Sequence, residues 1–250
     1  MSDRSGHWEE LLALRVWQSG LTEWQLLEIP DPSRQGLAPN AGASKVETAK
    51  PCAQPSYALS DYWEERYAAR QEPIFEWYAG FATFEERLLA ALRRVGPMAG
   101  LRVLHVGSGN SALPEALHAS GCRNQIANDI SPTVIARMQR RTRHCDGLSW
   151  AVEDALSMPH HADASFDAVI DKGTFDALSC SNRERQLVRE AHRVLRGGGV
   201  YVLISSLEWA AQTFAPPACV AGQWRPPVES THADGGLKGG ECWVHCATKV

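Results

Sequence analysis

The apolar run LRVLHV (101–106) ends in Gly107-Ser108-Gly109-Asn110, two glycines separated by one residue. Glycines at such a place let the backbone turn sharply and approach a ligand closely, with a helix N-terminus behind the turn. About twenty positions further on, Asp129 closes a second apolar run, NQIAND (124–129). A carboxylate there can accept two hydrogen bonds from the vicinal hydroxyls of a ribose, and a charged acceptor makes the stronger bonds. Gly107, Gly109, Asn110 and Asp129 therefore predict the seat of a nucleoside-bearing cofactor. To this point NAD and S-adenosylmethionine fit equally well.

The elements needed to hold these residues are legible in the pattern. LRVLHV, NQIAND, LSWAVE (148–153), FDAVID (166–171) and VYVLIS (200–205) read as short apolar strands. Helical stretches separate them, from the glycine turn to about Ser120 and from about Ser131 to His144. A third, Asn182 to Leu195, has Leu187, Val188, Ala191, Val194 and Leu195 on one face, and Gly197 to Gly199 are expected to stop it. Such alternation predicts an α/β domain with a parallel sheet covered on both faces. QWRPPVES and ECWVHCATKV read as a closing antiparallel hairpin. Tyr62 to Leu92 is rich in aromatics and helix formers. Upstream, residues 7–28 have near-helical apolar spacing and residues 30–57 read as a linker. The expected organisation is an N-terminal extension, 1–57, and one catalytic domain, 58–250.

Three later features separate the two cofactors. Glu153-Asp154-Ala155 follows the third strand, where a methyltransferase places an acid to accept from the adenine amino group. The helix running through LRGGG into a strand, and the hairpin in place of a sixth parallel strand, also favour methyl transfer over hydride transfer. The strings GSGNS, NDIS and FDAVIDKGTFDAL, preceded by YWEERY and FEWY, resemble the lysine methyltransferases of translation elongation factor 1A. They also resemble the two-domain relatives that methylate that factor's N-terminus, and the citrate synthase lysine methyltransferase. The resemblance covers about residues 61 to 250, with DKGTFDAL its most discriminating piece. It implies a Rossmann-like class I methyltransferase, with a doubly wound, mostly parallel seven-stranded sheet and a reversed C-terminal hairpin. By position it implies S-adenosylmethionine contacts from Trp63, Tyr67, Trp77, Gly107, Asp129, Ile130, Asp154, Ala155 and Lys172, and a protein substrate.

The chemistry of these residues is coherent with that. A sulfonium is a cation, and aromatic faces at Trp63, Tyr67 or Trp77 offer cation–π attraction of roughly 0.5–2 kcal/mol; the alternative is that they pack the N-terminal helix onto the sheet. Methyl transfer to lysine needs a neutral amine, so desolvation or a carboxylate must help remove the proton. Asp171 and Asp176, flanking Lys172 at the mouth of the fourth strand, are candidates to orient that amine; equally, Asp176 caps the following turn. Two departures from the common pattern stand out. His105 occupies a position where many methyltransferases carry an acid or a small residue, and Ser108 replaces the usual cysteine.

Composition narrows the rest. A net charge of -4 and a pI near 6.1 give no general field for a polyanion, so nucleic acid is not expected as a partner. The basic run Arg137 to Arg143 reads as a solvated helix face. The seven cysteines contain no CxxC; Cys242, His245 and Cys246 share one strand, and no metal site is expected. No apolar run is long enough to span a membrane, and the N-terminus lacks the features of a signal peptide or mitochondrial presequence, so the expected location is cytoplasmic. Two other functions fit the sequence: a methyltransferase acting on a small molecule or a protein N-terminus, and a non-catalytic binding module that kept the fold.

Overall fold

A computed structural model describes residues 57–214, 223–233 and 242–250. They fall within one compact unit, Ser56–Val250. The helix expected over 7–28, nearly all of the expected linker, and the glycine-rich turn of the hairpin lie outside the described residues.

Two helices precede the sheet, α1 (Ser60–Ala69) and α2 (Phe81–Val95). The aromatic stretch 62–92 is thus not one helix. Pro73 disfavours helical backbone at the residue before it, and a strap of eleven residues, Arg70 to Gly80, carries the chain between the two. Then follow β1 (Val103–Val106), α3 (Leu113–Ala119), β2 (Gln125–Asp129), α4 (Pro132–Arg141), β3 (Leu148–Val152) and β4 (Phe166–Lys172). The remainder is α5 (Thr174–Ser179), α6 (Glu184–Val194), β5 (Leu195–Ser205), a 3-10 helix (Glu208–Phe214), β6 (Trp224–His232) and β7 (Trp243–Lys249). Neither α5 nor the 3-10 helix was expected from the sequence.

The seven strands form one sheet in the order β3-β2-β1-β4-β5-β7-β6. The first five are parallel, and β7 runs antiparallel to both β5 and β6. The order reverses at β1, which lies between β2 and β4, so the crevice at the carboxyl ends of these strands is where a ligand belongs in such a sheet.

The expectation that Gly197 to Gly199 terminate the helix is corrected. α6 ends at Val194, because Leu195 is already extended and pairs with Phe166. The next pair is Ala168 with Val200, so β5 carries a bulge between these pairings that contains all three glycines. Their freedom absorbs the register jump.

One core cluster lies beneath α2 and α3. α2 buries Phe84, Leu88, Leu89, Ala91 and Leu92, a helical stripe set against Ala168, Ile170, Val200, Val202, Ile204 and Val244. Each fully buried side chain of this kind contributes roughly 1.5–3 kcal/mol. The intervening Tyr201 points to the opposite face of β5, where its ring meets Phe214 and Trp224. In β7 the same alternation separates the expected non-ligands: Cys246 packs on the α2 side, while His245 bonds Ser230 Oγ and the Leu207 carbonyl.

Candidate active site

The turn after β1 is built by its neighbours. Gly107 and Gly109 both have left-handed backbone, with φ of 57° and 53°. The Gly107 N–H donates to Asn128 Oδ1 (3.1 Å), the Ser108 N–H to the Asn128 carbonyl (2.8 Å) and the Gly109 N–H to Asp129 Oδ2 (2.8 Å). The end of β2 therefore fixes the turn after β1. No side chain fits at either glycine: a Cβ at Gly109 would lie 2.4 Å from the Tyr67 hydroxyl, and one at Gly107 2.1 Å from Thr174 Oγ1. Tyr67 belongs to α1, and Thr174 to the DKGTFDAL string.

Asp129 is buried, 6% exposed, and its other oxygen accepts from the Ser131 N–H at 3.0 Å. Burial raises its pKa to about 6 against the pull of those backbone donors. The next acid along this edge, Glu153, accepts from Asn128 Nδ2 (3.0 Å), and Asp154 Oδ1 accepts from the Leu156 N–H (2.9 Å).

Over the turn lies an aromatic wall. Trp63 stacks on Tyr67 with centroids 6.1 Å apart and meets Trp77 edge-on at 6.2 Å. α1 is tied down at its middle and at its C-terminal end. Glu64 accepts from Ser131 and Thr133 at the start of α4, and Arg137 donates to the carbonyls of Tyr67 and Arg70. Arg141 reaches further, donating to the carbonyls of Pro73, Asn110 and Ser111 and pairing with Glu115. The reading of Arg137 to Arg143 as a solvated face is corrected in part. Arg140 and Arg143 are exposed, but Arg137 and Arg141 spend their guanidinium forks on backbone carbonyls that hold the wall and the glycine turn.

The strap is fixed on the other side. Tyr78, a non-glycine residue at φ 63°, is held there by a 2.6 Å hydrogen bond from its hydroxyl to Asp176 Oδ2. Glu76 pairs with Lys172 and accepts from Ser111 Oγ (2.9 Å) and the Ala112 N–H (2.8 Å).

These parts line one cleft, partly open to solvent. Its lining includes Trp63, Tyr67, Trp77, Gly107, Gly109, Asn110, Asp129, Ile130, Asp154, Ala155 and Lys172, so every residue named from the sequence as a cofactor contact is brought to one cavity. It also includes Tyr57, Phe75, Leu156, Thr174, Leu178 and Arg183, which the sequence reading did not name. Thr174 and Phe75 sit inside quoted strings and were open to inference; Leu178 and Arg183 carry no local signal.

The two carboxylates expected to orient an amine are elsewhere. Asp171 is fully buried: Oδ1 accepts from the Thr174 N–H (3.0 Å) and the Phe175 N–H (3.2 Å), and Oδ2 from the Tyr201 hydroxyl (2.8 Å). It caps α5, and burial raises its pKa to about 7. Asp176 accepts from Ser205 Oγ, Tyr78 Oη, Ser206 Oγ and the Ser206 N–H. Neither lines the cavity; Asp171 holds the start of α5, and Asp176 ties α5 to the strap and to the end of β5.

The overall fold is similar to that of a solved N-methyltransferase, NodS of Bradyrhizobium japonicum WM9 in complex with S-adenosyl-L-homocysteine. The TM-score is 0.56 at 21% identity, covering 78% of this chain and 98% of that one. The chain has the class I methyltransferase fold. Residues 104–203 match the family model described as a methyltransferase domain. The chain resembles the EEF1A lysine methyltransferase 4 of Mus musculus, 34% identical over 166 residues, which cover 60% of this chain and 62% of the mouse protein. It also resembles the eEF1A lysine and N-terminal methyltransferase of Xenopus laevis, 33% identical over 163 residues, 62% of this chain and 22% of that protein. The chain thus spans less than two thirds of each of these relatives.

The residues present fit the cofactor of such folds. Ser108 Oγ is buried beside the cavity with no hydrogen-bond partner among the described residues, and the glycine turn leaves backbone alone facing the space beside Asp129. Among the described residues no helix is long and apolar enough to cross a membrane.

Proposed function

We propose that this protein is an S-adenosylmethionine-dependent protein-lysine N-methyltransferase, and that elongation factor 1A is the acceptor to test first. The observation carrying this reading is that the glycine turn, Asp129 and the DKGTFDAL string meet around one cleft, with Thr174 of the string packed into the turn. The names of the relatives at 33–34% identity supply the acceptor.

In this reading Asp129 receives the ribose hydroxyls, Asp154 and Ala155 the adenine edge, and Lys172 the carboxylate end. Trp63, Tyr67 and Trp77 face the sulfonium, where their quadrupoles favour positive charge. The bound cofactor supplies an electrophilic methyl group for in-line displacement by a neutral amine. Asp171 and Asp176 are engaged elsewhere, so the protein lowers the amine's pKa by desolvation against the aromatic wall rather than through those two acids. Positioning carries the remaining burden. A cytoplasmic location is part of this proposal.

The test is incubation with tritiated S-adenosylmethionine and purified elongation factor 1A, with Asp129→Ala as control. Label on a lysine, mapped by mass spectrometry and lost in the control, is the expected result. Label confined to the factor's N-terminus would favour the second activity named for the Xenopus relative. If calorimetry shows cofactor binding but no protein in a cytosolic lysate is labelled, the lysine reading is wrong.

A further inference from the structure

Lys172 ends β4 with its side chain 5% exposed, and its salt-bridge partner is Glu76. Glu76 comes from the strap, 96 residues away in sequence. Its two oxygens are committed in three directions: Oε1 to the Ala112 N–H, Oε2 to Ser111 Oγ and to the Lys172 ammonium. Strap, glycine turn and β4 thus converge on one carboxylate. Glu76 does not line the cleft, whereas Lys172, Ser111 and Asn110 do. The turn receives no acid from its own strand. His105, at the place where an acid is common, bonds Gln125 Oε1 at 2.6 Å and is held neutral, with a pKa of about 4, by burial.

We propose that Glu76 is a positioning residue which, through Lys172 and Ser111, completes a subsite for the charged amino-acid end of the cofactor; this rests on the function proposed above. A buried ammonium with no counter-charge loses its proton. Burial draws the Lys172 pKa down and Glu76 draws it back up. The Cys242 thiol, just before β7, is the other titratable group acting on it, and Asp171 on its own strand is turned to Tyr201 and α5. Because Glu76 is anchored by Ser111 and Ala112, it fixes where the ammonium stands. The ammonium's three donors allow it to keep Glu76 and accept a second carboxylate.

Two ligands separate this role from a purely structural one. S-adenosylhomocysteine carries the amino-acid end; 5'-methylthioadenosine keeps adenine, ribose and sulfur but lacks it. Calorimetry on the full chain is expected to show S-adenosylhomocysteine binding weakened about tenfold or more by Glu76→Gln. Methylthioadenosine affinity should change less than about twofold, and Glu76→Asp should restore part of the loss. The defect in Glu76→Gln should deepen as pH rises, because an unpaired Lys172 loses its proton more readily, and only for the ligand with the carboxylate. Equal weakening of both ligands, or of neither, overturns the proposal. If Glu76→Gln does not fold, the ratio of the two affinities in Glu76→Asp decides: a ratio unchanged from wild type overturns it. A wild-type protein that binds methylthioadenosine as tightly as S-adenosylhomocysteine has no such subsite. One that binds neither lacks the cofactor altogether, which removes the proposed function as well.

Discussion

Thr174 Oγ1 occupies the space into which any side chain at Gly107 would project, 2.1 Å from an ideal Cβ, while bonding the carbonyl of Val106 at 3.0 Å. The string after β4 is thus the buttress of the turn after β1. Gly107→Ala meets both this contact and a left-handed φ, and should cost on the order of 1–3 kcal/mol of stability with a parallel loss of cofactor affinity. Thr174→Ala alone should cost about 0.5–1.5 kcal/mol for its hydrogen bonds. In the double variant the two closest clashes, with Oγ1 and Cγ2, are removed and only the Cβ of residue 174 stays near, at 3.0 Å, so chemical denaturation should give a total smaller than the sum. Simple additivity would mean the two positions do not act on one another.

Asp129 predicts a pH dependence of binding. With a pKa of about 6, its carboxylate is charged above that pH and can then accept two ribose hydroxyls. Cofactor affinity measured by calorimetry should fall as pH drops through 6, and Asp129→Asn should flatten this limb while weakening binding roughly tenfold or more. For the uncomplexed protein the sign is opposite. The pKa in the folded state is raised, so the associated stability is full below about pH 4 and is lost as pH rises through 6. A wild-type affinity that does not change between about pH 5 and 7 would contradict the assignment of Asp129 as the ribose acceptor.

Substitution of Asp171 separates a structural role from a chemical one. Its pKa is raised to about 7 by burial, so above that pH the fold holds a buried charge. Asp171→Asn keeps an oxygen for the Thr174 and Phe175 N–H groups and removes the charge. At pH 8 its thermal midpoint should equal or exceed that of wild type, with turnover reduced no more than about threefold. A loss of about a thousandfold in kcat with unchanged stability would return Asp171 to the chemistry.

Arg141 joins the strap to the glycine turn, donating to Pro73, Asn110 and Ser111. Arg141→Lys retains charge but not the fork. Hydrogen exchange should accelerate over residues 72–78 and 109–112, cofactor affinity should fall about threefold to thirtyfold, and β4 and β5 should stay protected. Uniform acceleration across the sheet would show instead a global loss of stability.

The periodic elements and the ligand end of the sheet were legible in sequence because apolar strands and a glycine turn are local signals. Asp129, the last residue of β2, and Asp154, two residues beyond β3, could be placed at that end of the sheet for the same reason. What local reading missed is set by distant partners. Tyr78 and Asp176 are 98 positions apart, and Arg141 bonds backbone carbonyls, which carry no residue code. The hydrogen bonds of Asp171 and Asp176 were not legible either, because direction decides them. A carboxylate near the mouth of a strand can face the ligand or turn back to cap the next helix, and only the neighbouring Tyr201, Ser205 and Ser206 decide. The glycine bulge in β5 was misread because a glycine run beside a helix end looks the same whether it caps the helix or interrupts the following strand.

The strand order has a consequence for synthesis. β7 lies between β5 and β6 and is the last of the seven to be made. Until it emerges, β5 presents an unpaired edge and β6 has no neighbour in the sheet, whereas the crevice between β1, β2 and β4 can already close. During translation the cofactor side of the sheet can therefore assemble while the opposite edge stays open to other chains. Chaperone demand should concentrate on nascent chains that have passed β5 but not yet released β7.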